Sequence, residues 1–90
     1  DNPNYNFPNM SLSRGDFELR DFILAIDYKL TARTKYEDHM TQVISTIISK
    51  FTPLIRLPKG SCQLIRIIKD YQKGVLKYTF ELKSAIDLSK

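Results

Sequence analysis

The single histidine, His39, and the single cysteine, Cys62, are the first places to look for chemistry in this chain of ninety residues. Two such ligands fall short of the four that a structural zinc site takes. A lone thiol closes no internal disulfide, and its presence predicts a reducing, intracellular compartment, cytoplasm or nucleus. His39 could act as a general base only beside a nucleophile and an orienting group, and the sequence suggests neither. Cys62 opens a β-rich run, and it becomes nucleophilic only where a cation lowers its pKa. Glu37 and Asp38 are adjacent in sequence, so they do not share a helix face, and a capping role accounts for them. Asp27 and Asp70 are isolated. Three glycines, at positions 15, 60 and 74, make no phosphate-cradling loop. These residues predict no catalytic centre, no metal site, no cofactor and no small-molecule substrate: the chain is expected not to be an enzyme.

The formal charge of +4 favours anionic partners, either nucleic acid or an anionic membrane surface. The candidate contacts are Arg66, Lys69, Tyr71, Lys73, Lys77 and Lys83, all in one predicted hairpin. Lys77 and Lys83 share a strand face that could track phosphates. Sheet modules that read RNA also present aromatic rings to the bases. Tyr78 and Phe80 lie on the opposite parity from those lysines, which leaves Tyr71 as the exposed ring. No run approaches the roughly 18 apolar residues of a membrane span.

The elements that hold these residues follow from periodicity. Residues 1–16, rich in Asn, Pro and Ser, show no period and are expected to form an extended or flexible arm. In residues 17–31, Phe22, Leu24, Ile26, Tyr28 and Leu30 alternate, as in a strand with one face on a core. Phe17 and Leu19 sit on the other parity, so a bend or bulge is expected near Arg20. Residues 34–52 predict a helix. Thr34 and Glu37 fit a capping box, and Met40, Val43, Ile44, Ile47, Ile48 and Phe51 form one apolar stripe before Pro53. Residues 53–61 are a turn-rich connection. Residues 62–83 are a hairpin around Asp70–Gly74, with Gly74 in a left-handed conformation. Residues 85–90 form a tail, so residues 17–84 make up one α+β domain.

The order strand, helix, strand, strand corresponds to half of a ferredoxin-like layer: one helix on a small mixed sheet, with residues 17–31 parallel to the first hairpin strand. A single helix covers only one sheet face, yet the early parts of two strands are apolar on both faces. Ile23, Ala25, Ile65 and Ile67 therefore form the expected self-association face. Leaving such an isoleucine in water forgoes roughly 1.5–3 kcal/mol. Either a second copy or protein partner covers that face, or residues 1–20, with Tyr5, Phe7, Phe17 and Leu19, fold back over it.

The segments DFILAIDYKLT, YEDHMTQVISTIISKFT and QLIRIIKDYQKGVLKYTFEL, about two-thirds of the chain, are similar to the C-terminal region of the MinE family of bacterial division-site factors. The resemblance implies a dimer with sheets packed back to back, and a first strand able to leave the sheet for an ATPase partner. Asp27, Tyr28, Lys29 and Leu30 replace the family's Arg-rich end to that strand, and its membrane-targeting start has no counterpart in the Asn/Pro-rich lead-in. The leading expectation is a non-enzymatic interaction and oligomerisation module that associates through its sheet. The alternatives are a nucleic-acid-binding protein using the basic hairpin, a MinE-like regulator of an ATPase, and a small viral matrix-type assembly protein.

Overall fold

The computed structural model describes residues 9–51 and 55–89. These residues form an α+β domain of five strands and one helix: β1 (Asn9–Arg20), β2 (Ile23–Thr34), α1 (Glu37–Phe51), β3 (Ile55–Leu57), β4 (Gly60–Gln72) and β5 (Val75–Asp87). The strands form one open sheet in the order β1-β2-β5-β4-β3, and every neighbouring pair is antiparallel. The expected mixed sheet is thus corrected. β2 and β4 do point the same way, but β5 lies between them and pairs with both. The molecule is elongated, about 49 × 23 × 21 Å.

Two tight turns set the frame. Gln72 pairs with Val75 across Lys73 and Gly74, whose φ angles of 52° and 78° are both positive. That is the type I′ turn whose twist suits a two-residue hairpin. The expected loop of three to five residues contracts to these two. Arg20 pairs with Ile23 across Asp21 and Phe22, with Asp21 at φ 56°. Residues 17–31, expected as a strand with a bend or bulge near Arg20, break there into the two arms of this hairpin. Residues 9–16, expected in the arm, belong to β1. Residues 1–8, with Tyr5 and Phe7, lie outside the described residues.

The helix begins later than its capping box predicts. Thr34 ends β2, and its hydroxyl accepts the Tyr36 amide at 3.1 Å. The first helical bond runs from the Met40 amide to the Tyr36 carbonyl. The core lies under the helix, where Met40 and Ile47 meet Ala32, Leu76 and Phe80. Val43, Ile44, Leu30, Leu64, Ile67 and Tyr78 pack around them, while Ile48 at the stripe's margin is exposed.

At the other end, Leu57 pairs with Gly60 across Pro58 and Lys59. A side chain at Gly60 would run into the Ala85 carbonyl, so only glycine fits this close approach. β5 extends through Asp87, so Ala85, Ile86 and Asp87 belong to the sheet rather than to a tail. The Asp87 amide donates to the Lys59 carbonyl and the Leu88 amide to the Phe22 carbonyl, both at 2.7 Å. No helix among the described residues is long and apolar enough to cross a membrane.

Candidate interaction surface

Which way each side chain faces follows from register. On β5, Leu76, Phe80 and Leu82 are buried on the helix side. Their direct partners on β2 share that side: Thr34, Leu30 and Tyr28, with Ala32, Ile26 and Leu24 between and beyond. Ile23, Ala25, Asp27, Lys29, Thr31 and Arg33 therefore face outward. β4 is not straight. Leu64 pairs with Leu82 and Arg66 with Glu81, so Ile65 is an extra residue, a β-bulge. After it the parity inverts: Ile67 opposes Phe80 on the helix side, and Ile68 turns outward.

This bulge divides the expected self-association face. Ile23 and Ala25 lie on the outer face at one end of β2, and Ile65 stands outward at the bulge, 53% exposed. Ile67 packs against the core instead. The outer face between them is charged. Asp27 lies opposite Lys83 and Lys29 opposite Glu81, so carboxylates and ammonium groups alternate across the strands. Arg66 binds Glu81 through Nε and Nη2, each at 3.0 Å. Asp16, Asp27, Lys29, Ile65, Glu81 and Lys83 line a shallow groove there of about 520 Å³.

The candidate anion contacts do not converge either. Lys77 stands between Arg33 and Asp70, and Lys83 between Asp27 and Gln63. Lys69 and the exposed Tyr71 lie on the helix side near the hairpin tip, and Lys73 is in the turn. Of the chemistry-bearing residues, His39 lies against Tyr36, with ring centroids 5.0 Å apart and ring planes tilted by 58°. Burial pushes the Cys62 thiol up, which keeps it protonated at neutral pH. Among the described residues no three of His, Cys, Asp or Glu are grouped to hold a metal.

The exposed apolar surface is elsewhere, on β1. Met10, Leu12, Arg14, Phe17 and Leu19 pair with Ala32, Leu30, Tyr28, Ile26 and Leu24, so all five point to the helix side. Gly15 and Asp16 together oppose Asp27, a second bulge that lets Phe17 and Leu19 rejoin the face of Met10 and Leu12. The helix sits over β2, β5 and β4 and leaves β1 open. Leu12 and Phe17 are each 64% exposed and Leu19 58%. The Arg14 guanidinium lies 5.8 Å from the Phe17 ring centroid, and Phe22 and Leu88, both exposed, extend the apolar surface around the sheet's end. The stripe could have been found in the sequence from the opposed parities of Met10/Leu12 and Phe17/Leu19, separated by Gly15-Asp16. Covering the exposed parts of Leu12, Phe17 and Leu19 would gain about 1–2 kcal/mol each. Summed, that rivals the roughly 3–5 kcal/mol that the core of a domain this small supplies.

No protein-family model matches the chain, and no curated protein matches it. The similarity to MinE therefore rests on residue pattern alone.

Proposed function

We propose that the chain is a non-enzymatic interaction module that self-associates through its β-sheet, a half-ferredoxin-like layer completed by a second copy. The observation that carries this reading is β1: a twelve-residue edge strand whose helix-side stripe no described residue covers. Long, apolar, unpaired edges template association, and chains that must stay monomeric blunt or cover them. The surface in question is on the helix side of the sheet, not on the outer face to which Ile23, Ala25 and Ile65 belong. Complete burial of the six large side chains of two copies would be worth at most about 6–12 kcal/mol, against roughly 4–15 kcal/mol for lost rigid-body freedom. Only at the favourable ends of these ranges does the surplus reach about 8 kcal/mol, which corresponds to a micromolar Kd, so the association is reversible rather than permanent. Sedimentation equilibrium across the micromolar range tests this. The average mass should rise with concentration toward the dimer, and a strict monomer throughout would overturn the reading.

A further inference from the structure

We propose that two copies join by antiparallel pairing of their β1 edges about a two-fold axis through the Gly15–Asp16 bulge. Leu12 then faces the partner's Leu19, and Arg14 faces the partner's Phe17. The proposal rests on the self-association reading and adds the edge and the register.

The backbone supplies the first argument. Residues flanking a two-residue turn exchange hydrogen bonds, so Arg20 directs its amide and carbonyl toward Ile23 on β2. Counting back by alternation, Glu18 does the same toward Ala25, and Leu19 and Phe17 turn theirs outward. Gly15 and Asp16 together take one place opposite Asp27, after which Arg14, Leu12 and Met10 again turn outward. The residues with free edge groups are thus the same ones whose side chains form the stripe. One act of pairing would satisfy the edge and set the two stripes side by side on one face of a continuous sheet.

The avoidance of like-charge contacts supplies the second argument. Pairing across an edge preserves faces, so stripe positions must oppose stripe positions. With the bulge on the axis, Leu12 meets leucine, and Arg14 meets the face of a phenylalanine, an arrangement Arg14 already makes within its own chain. On the outer side Ser13 faces the partner's Glu18 and Ser11 the partner's Arg20. Asp16 faces the partner's Gly15. No like charges stand directly opposite. Sliding the axis one position to Arg14 sets that guanidinium against its own copy, which is unfavourable for directly opposed residues. A charge and a bulge are common devices against edge pairing. Here both fall at the centre, where this register gives each a compatible partner.

The test uses the full chain with Cys62→Ser as background. Leu12→Cys and Leu19→Cys proteins are mixed under mild oxidation, alongside Arg14→Cys alone, with circular dichroism confirming that each is folded. A disulfide-linked 12–19 pair, with no Arg14→Cys self-linkage, is expected. Linkage through Arg14→Cys, or a dimer by sedimentation without 12–19 linkage, overturns the register while the self-association reading stands. Amide exchange on the unsubstituted protein gives an independent readout. Amides of Leu12, Arg14, Phe17 and Leu19 should slow about tenfold when about nine-tenths of the chains are paired. Those of Ser11, Ser13 and Glu18 should be protected at every concentration. A monomer whose outward amides are protected regardless of concentration overturns both proposals, because the edge is then covered within one chain.

Discussion

Truncating Ile65 and Ile67 separately to alanine tests the β4 bulge on which the assignment of faces depends. Ile67 opposes Phe80, which is completely buried, and packs against the core. Removing its side chain leaves a cavity beside that ring. Such truncations cost about 2–5 kcal/mol, and a half-buried site belongs at the low end, about 2 kcal/mol. For a domain of this size that lowers Tm by about 8–16 °C. Ile65 is more than half exposed and touches the outer groove, so Ile65→Ala should change stability by no more than about 0.5 kcal/mol. Urea unfolding followed by far-UV circular dichroism, at one protein concentration, measures both. A straight β4 predicts something different: Ile67→Ala would be benign and Ile68→Ala costly. Finding that ranking, or equal losses at positions 65 and 67, would refute the bulge and the faces derived from it.

Three further outcomes are expected. Gly60→Ala forces a methyl into the Ala85 carbonyl and should destabilise by at least about 1–3 kcal/mol, measured by the same urea titration. Lys73 holds a positive φ that asparagine tolerates better, so Lys73→Asn should raise stability by roughly 0.5–1 kcal/mol, read as a higher denaturation midpoint. Ser89 donates to the Asp87 carboxylate from its hydroxyl at 2.6 Å and its amide at 2.9 Å, and these bonds hold the Asp87 pKa below the usual carboxylate range. A depressed folded pKa means that the stabilisation is complete above the ordinary carboxylate range and is lost as pH falls through the lowered value. Exchange of the neighbouring Leu88 amide should accelerate, beyond its intrinsic pH dependence, only in that acid window. NMR titration of Ser89→Ala should show the Asp87 carboxyl returned upward, and an unchanged titration would contradict the assigned cause.

Much of the fold could be read from local pattern. The helix stripe and the Leu76–Leu82 alternation each repeat often enough to define a face, and Gly74 marks its turn through the one conformation that favours glycine. The first hairpin was hidden because Asp21-Phe22 is not a usual turn pair, so Phe22 extended an alternation that belongs to β2 only from Ile23 onward. The candidate site was misplaced for a related reason. Period-two counting assumes a straight strand, and one inserted residue reverses every later assignment. At Ile65 this sent Ile67 inward, and at Gly15-Asp16 it gathered Leu12 and Phe17 onto one side. Sequence chemistry correctly raised the question of surplus apolar surface, but the answer depended on those two bulges.

The seam between β2 and β5 has a kinetic consequence. Both long hairpins close through two-residue turns and need only near neighbours, whereas the seam joins Ile23 to Asp87, about two-thirds of the chain apart. Loop-closure entropy must be met before those contacts can return anything. The two hairpins are expected to form early and independently. Their docking, with α1 carried in the intervening loop, then sets the folding rate.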